Sequence, residues 1–275
     1  MKTEKVLITV KTYPTLSSKY NELVCTAGVR EDGSWVRIYP LPFRRLKDDL
    51  QFKKYNWVEL PLERNTKDPR PESFRPTDYT AIETVGYMDT SDKWQERRSF
   101  ILDRVKCFDS FDELICMAQE RNELSLALFK PKEVIDFYWE ENSREWDKKK
   151  LGKVIANLSQ GQLFEQEEFK KEFALVHKLP YKFKYKFRES NGKCRNLSII
   201  DWEVGALFWN CLKNSSNEQE ALEKVKQKYL GYFAKKTELY FYLGTMLQFH
   251  SWTTNPFTII GIFAPPLDNQ KRLAF

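Results

Sequence analysis

The sequence predicts an α+β protein with three parts: a small N-terminal mixed or antiparallel β-barrel or sheet, a helical middle and a C-terminal α+β unit packed on the rest. Three observations predict it. The first third carries short β-branched and aromatic runs cut by turn signals. The middle repeats apolar residues at helical spacing. The last third opens with "YKFKYKFR", a strict alternation over residues 181–188, and continues through helices into two apolar runs. The implied parts are residues 1–90 (β-rich), 91–178 (helical and acidic) and 179–275 (α+β and basic).

The elements follow in order. Val6–Lys11, Glu22–Arg30 and Trp35–Tyr39 read as strands, the last two joined by "EDGS", whose Asp-Gly is a hairpin signal. "LPFRRLKDDLQFKKY" predicts a short surface helix. Asn56–Glu63 alternates as a strand, and Pro61 places it at a sheet edge or strand end. "NTKDPRPESFRPTD" reads as a long loop. Trp94–Cys107 has Trp94, Ile101, Leu102 and Val105 on one helical face, and Ser110 with Glu113 makes a capping box for the next helix. Val134–Trp139 is a strand, followed by a charged connection, "EENSREWDKKKLGK", near the first domain boundary. Asp201 caps a largely apolar helix, "DWEVGALFWNCL"; an amphipathic helix runs from Ser216 to about Phe233; Leu239–Leu243 and Phe257–Phe263 form a buried strand pair.

Composition narrows the function classes. With 41% apolar and 15% aromatic residues among 275, disorder is excluded as a description of the whole chain, and only 10 glycines argue against a glycine-rich phosphate loop. The five cysteines (Cys25, Cys107, Cys116, Cys194, Cys211) show no C-x-x-C spacing, the pattern of reduced thiols. The Val6–Val10 apolar run is too short for a signal peptide, and no stretch reaches membrane-span length, so a cytoplasmic location is expected. Charge is sectored. Residues 1–76 hold 15 Lys and Arg against 10 Asp and Glu, residues 77–178 hold 16 against 21, and residues 179–275 hold 14 against 8. Two basic ends flank an acidic middle, which bears on partners rather than on fold.

Three stretches carry candidate chemistry. In 181–188, alternation sends the aromatic rings to one face, into the core, and Lys182, Lys184, Lys186 and Arg188 to the other. That cationic row is either a phosphate rail, with salt-dependent binding, or protection of an exposed edge. In "WVRIYPLPFRR", Arg37 alternates with Trp35 and Tyr39, so a guanidinium stands between two rings on one face; Arg44 and Arg45 extend the patch. The bland alternative is an arginine snorkelling over aromatic packing. The proline-stiffened "DPRPESFRP" holds Asp68, Arg70 and Glu72, which with Glu22 supply carboxylates for acid–base work or a magnesium ion, or else an ion network pinning the loop. His250, in a Ser/Thr/Asn-rich loop, is the better placed of two histidines. No Walker, G-x-G-x-x-G, G-x-S-x-G or H-E-x-x-H motif is present.

The blocks "KTYPTLSSKYNELVCTAG", "WVRIYPLPFR" and "LPYKFKYKF…IDWE" resemble an uncharacterised family of bacterial and archaeal proteins. The resemblance covers most of the chain; it implies a prokaryotic cytoplasmic protein and carries no activity or site residues. By fold-level analogy, the N-terminal third is similar to the small PUA- and ASCH-type barrels that bind RNA or modified bases.

The expected function is nucleic-acid binding, to DNA or RNA. Arg37, Arg44, Arg45 and Arg70 with the rings of Trp35 and Tyr39 would meet a base or nucleotide, and Lys182, Lys184, Lys186 and Arg188 would meet phosphates. No cofactor is expected for that role. The alternative is a magnesium-dependent nuclease or nucleotide hydrolase using Glu22, Asp68, Glu72 or His250. The third is a protein-interaction module whose acidic middle (Glu140, Glu141, Glu145, Glu165, Glu167, Glu168) meets a basic partner.

Overall fold

Strand β1 (Thr3–Lys11) shows how the N-terminal part is built. Its β-branched residues favour an extended chain, and Val6 to Val10 are all buried because the strand separates two cores. Val6 and Ile8 enter the interior formed with Val36, Ile38, Val58 and Leu60, while Leu7 and Val10 face a second core shared with Leu126, Tyr242 and Ile260. The computed structural model describes residues 3–17, 21–159 and 176–267.

β2 (Thr15–Ser17) and β3 (Asn21–Leu23) form a two-stranded hairpin. β4 (Thr26–Val29) pairs antiparallel with β1 and with β5 (Trp35–Ile38). The predicted Glu22–Arg30 strand is thus two pieces. The Val24 N–H is taken by Leu41 O and the Cys25 N–H by Thr12 Oγ1, which interrupts the ladder between them. Gly33, at φ 87°, makes the "EDGS" turn. Two 3₁₀ turns, Phe43–Arg45 and Asp48–Leu50, stand where a helix was expected; Leu41, Phe43, Leu46 and Phe52 fill the barrel interior there.

β6 (Asn56–Arg64) pairs with β1 and, through β7 (Ser73–Pro76), returns to β5, which runs parallel to β7. The ring β1–β4–β5–β7–β6 closes a small barrel, and β8 (Glu83–Tyr87) adds to β6 over residues 56–59. β6 is therefore an inner wall strand and not the expected edge. Pro61 is tolerated because it falls between the residues paired with β8 and those paired with β7, and opposite Thr3 in the last pair of the β1 ladder, where a missing N–H costs least. β7 itself lies within the segment expected to be all loop.

Helix α1 (Ser91–Arg104) buries Phe100 and Ile101 in the second core. β9 (Cys107–Phe108) precedes α2 (Phe111–Ile115), whose N-cap Ser110 accepts from the Glu113 N–H, as its capping box predicts. β10 (Leu126–Phe129) is buried throughout and unforeseen, four apolar residues being too few to show a period. β11 (Glu133–Glu141) leads to α3 (Lys148–Ser159), β12 (Tyr181–Arg188) and β13 (Cys194–Ser198); the three strands make one antiparallel sheet with β12 central. Asp201 caps α4 (Trp202–Lys213) by accepting from the Glu203 N–H, and α5 (Glu218–Lys226) continues into a π-helical stretch to Ala234. β14 (Tyr240–Thr245) and β15 (Phe257–Phe263) complete a sheet in the order β15–β14–β10–β9. Among the described residues no helix is long and apolar enough to cross a membrane.

Candidate functional site

On β12 the four rings at 181, 183, 185 and 187 are buried among Phe137, Phe208, Tyr229 and Phe241, and the cations point to the opposite face. The strand is central, so its lysines guard no edge. Their charge is nonetheless partly answered by β11 alongside. Glu140 pairs with Lys184 at 2.6 Å and Glu133 with Arg188 at 3.3 Å. Lys182 and Lys186 make no ion pair among the described residues. The row is a mixed-charge surface with two free cations.

Lys182 also lines a cleft of about 810 Å³ between the barrel and the C-terminal unit. Arg37, Tyr39 and Arg70 line it from the barrel side, and Trp146, Lys178 and Lys182 from the other. Both basic ends of the chain thus reach one concavity. Its size and mixture of apolar walls with a few polar groups suit a ligand site.

Arg37 is 2% exposed. Alternation does put it on one face with Trp35 and Tyr39, but that face turns toward the C-terminal unit. Trp35 meets the Tyr242 ring edge-on at 5.8 Å, which removes it from stacking duty, and Tyr39 alone of the two rings reaches the cleft. Arg37 Nη2 donates to both Ser125 O and Ser125 Oγ at 3.0 Å, and Nη1 lies 3.6 Å from Cys25 Sγ. Its Nε is buried without an acceptor, and burial lowers the guanidinium pKa. A buried cation with an unmet donor at a cleft wall favours an incoming anion. Arg44 stands in the Phe43–Arg45 turn and is not among the residues lining the cleft, and the Arg45 side chain lies outside the described residues.

The carboxylates take up structural positions. Asp68 receives Arg70 Nε at 2.9 Å, Nη2 at 2.6 Å and Ser73 Oγ at 2.7 Å. Burial pushes the Asp68 carboxyl up, but the Arg70 and Ser73 hydrogen bonds and the Arg70 charge prevail and hold it at about 2. Arg70 Nη1 then donates to Thr245 O at 2.6 Å. Glu72 accepts from the Ser125 N–H at 2.8 Å and from Ser125 Oγ at 2.6 Å. The loop is stapled to the C-terminal unit through both residues, so Asp68 and Glu72 already have protein donors where a metal would need them. His250, 3% exposed, has Nδ1 3.0 Å from Thr245 Oγ1 and Nε2 2.9 Å from Asn122 Oδ1; burial, then Arg70 and Arg37, lower its pKa. The side chain of Glu22 lies outside the described residues, as do Glu165, Glu167 and Glu168 of the acidic middle.

Sequence reasoning missed Ser125, Thr245, Lys178 and Trp146. A lone serine before "LALF" and a threonine ending a strand carry no signal; only the pairing of distant elements makes them partners of arginines. Trp146 and Lys178 are tied to each other's neighbourhoods, Trp146 Nε1 donating to Val176 O at 3.1 Å and Lys178 Nζ to Glu145 O at 2.9 Å.

Residues 2–103, the barrel and α1, match a domain of unknown function, DUF8758. Residues 107–274 match another, DUF8757. A search of curated proteins found no match to the chain. The two matches meet just after α1, and the cleft lies between the units they cover. With more than half its length in the second match, the chain belongs to the DUF8757 family of domains of unknown function.

Proposed function

We propose that the protein binds nucleic acid in the cleft between its two units. The observation that supports this reading is the convergence of the two basic ends on one concavity: Arg37 and Arg70 from one, Lys178 and Lys182 beside the other. Phosphates meet Lys178 and Lys182 at the accessible wall, and Arg37 supplies the buried positive charge. Tyr39 and Trp146 are the half-buried rings on which bases stack. The loop after β14 adds apolar surface at the rim, with Met246 and Leu247 lining the cleft and Trp252 72% exposed nearby in sequence. The aromatic walls favour a single strand, whose bases are open to stacking, over a duplex.

The test is fluorescence anisotropy with single- and double-stranded DNA and RNA across a salt series. Lys178→Glu and Lys182→Glu are each expected to weaken binding about tenfold and to reduce the salt slope by about 1, whereas Lys236→Glu, on an exposed surface away from the cleft, leaves both unchanged. Tyr39→Ala should cost about 1–3 kcal/mol without altering the slope. Absence of binding to all four nucleic acids, or binding indifferent to the two cleft lysines, overturns the proposal.

A further inference from the structure

A second pocket, of about 380 Å³, lies at the end of β1, beside the starts of α1 and α4, and shares no lining residue with the cleft. Its lining is unusual in what it brings together. Lys11, Lys53, Lys54 and Arg97 supply four cations, and Tyr87, Trp94 and Trp202 supply ring surface. Lys54 is answered, with Nζ 2.8 Å from Glu203 and 3.4 Å from the buried Asp201. The other three cations make no ion pair among the described residues.

Lys11 and Arg97 are held in place, and Lys53 is the exposed cation of the set. Lys11 Nζ donates to Phe52 O at 2.9 Å and sits 4.2 Å from the Phe43 ring centroid and 5.4 Å from that of Trp202. Burial, then the charge of Lys54, pushes its pKa down to about 8. Arg97 is 4% exposed and lies over the Tyr55 ring at 3.8 Å. Its Nε and Nη2 donate to Met88 O and Tyr87 Oη, and among the described residues its Nη1 has no acceptor. A side chain more than nine-tenths buried thus keeps one donor without a protein acceptor, beside two further cations that make no ion pair among the described residues.

The backbone is committed to this arrangement. Of the described non-glycine residues with positive φ, Tyr55 (66°) and Trp94 (68°) line the pocket, and Asp92 (43°) and Lys93 (52°) immediately precede Trp94. Left-handed conformations cost an L-residue energy and persist only where surrounding structure requires them. Here they set the Tyr55 and Trp94 rings edge to face at 6.4 Å and both against Arg97, whose guanidinium is 5.0 Å from the Trp94 centroid. Tyr87, 54% exposed, is left as an open ring at the same wall.

We infer that this pocket is a site for a mononucleotide: a planar base packed against Tyr87 and Trp94, with its phosphate received by Lys11, Lys53 and Arg97. The volume holds one nucleotide and not a strand. Lys54 is taken up by Glu203 and Asp201. With Lys54 counted, the cations outnumber those two carboxylates, so the pocket selects for negative charge through Lys11, Lys53 and Arg97, and for a ring through its aromatic wall. The inference does not depend on nucleic-acid binding in the cleft, since the two sites have separate linings.

The experiment uses the full chain and isothermal titration calorimetry with adenosine and cytidine monophosphates, the parent nucleosides, inorganic phosphate and a 5′-phosphorylated oligonucleotide. A mononucleotide is expected to bind at least tenfold more tightly than its nucleoside or phosphate alone. Lys53→Glu and Tyr87→Ala, both at accessible positions, should each weaken it tenfold or more, and Lys182→Glu in the cleft should not change it. A readout that needs no variant is acylation of lysines followed by mass spectrometry: the mononucleotide should protect Lys11 and leave Lys236 reactive. Any of four results overturns the inference: no mononucleotide binding, phosphate binding equal to the nucleotide, binding insensitive to Lys53→Glu and Tyr87→Ala, or binding of the oligonucleotide alone. Loss of cleft binding with mononucleotide binding intact would remove the first proposal and leave this one standing.

Discussion

Asp68 and Lys11 show opposite ways in which one charged residue couples the fold to pH. Asp68 has its carboxyl held at about 2, below the ordinary 3.8, by Arg70 and Ser73. Its contribution, about 2 kcal/mol, is fully present above pH 4 and is lost as pH falls through about 2. Asp68→Asn should therefore lower stability at pH 7 in urea denaturation, and the gap from wild type should narrow near pH 2. A constant gap would show that the Arg70 contact is not electrostatic. In Lys11 the fold disfavours the charged form instead, and burial depresses its pKa to about 8. Below pH 8 the folded state bears the cost of a desolvated ammonium, and that cost is relieved as pH rises from about 8 toward 10.5. Lys11→Met should raise the thermal midpoint of the ligand-free protein, as expected where a residue is retained for binding at the expense of stability.

Strand β12 sets the pattern at the scale of an element. Its inward residues are large, aromatic and fully packed: Phe183 meets Phe137 at 5.8 Å, and Tyr185 donates its Oη to Tyr229 O at 2.9 Å. Phe183→Ala or Tyr185→Ala should cost about 3–5 kcal/mol, whereas Lys186→Ala should stay within about 0.5 kcal/mol. Equilibrium denaturation of the alternating series reads this directly, and a large effect at Lys186 would mean the outer face is packed against something. Helix α4 adds a steric constraint. Gly205 allows the Tyr13 ring, a cleft wall, to lie against the helix, and an added Cβ would overlap that ring and touch Leu179. Gly205→Ala should destabilise by about 1–3 kcal/mol, through overpacking, and disturb the cleft wall.

The whole molecule is held as one body by a shared core and a polar staple. Leu7, Val10, Ala27 and Val29 of the barrel pack with Leu126, Leu128, Tyr242 and Ile260 of the C-terminal unit. Arg37 and Glu72 meet Ser125, and Arg70 meets Thr245, across the same boundary. Cutting the chain between the two family matches would expose that apolar face, take Ser125 from Arg37 and leave Arg70 Nη1 without the Thr245 carbonyl. The full protein should therefore unfold in a single transition, with tryptophan fluorescence and far-UV circular dichroism coincident, and residues 1–106 alone should melt lower and bind a hydrophobic dye. Separate transitions would show the units to be independent.

Local physics was legible in the sequence where a pattern repeats or a cap is spelled out. The alternation of 181–188, the Ser110 and Asp201 caps, the Asp-Gly turn and the α+β class each depend on neighbouring residues alone. The two basic ends were legible as charge, and so were Arg37, Tyr39, Arg70 and Lys182 as candidates. Tertiary structure decided the rest, because those outcomes depend on residues far apart in sequence. Closure of the barrel through a parallel β5–β7 pair turns Pro61 from an edge marker into an inner position. Docking of β10 and β14 buries Arg37, gives Glu72 its Ser125 partner and Arg70 the Thr245 carbonyl, and register against β11 decides which cations of β12 are answered. The mononucleotide pocket is assembled from β1, a turn, α1 and α4, which no local pattern connects. Alternation determines which way a side chain points, but only packing determines what it meets there.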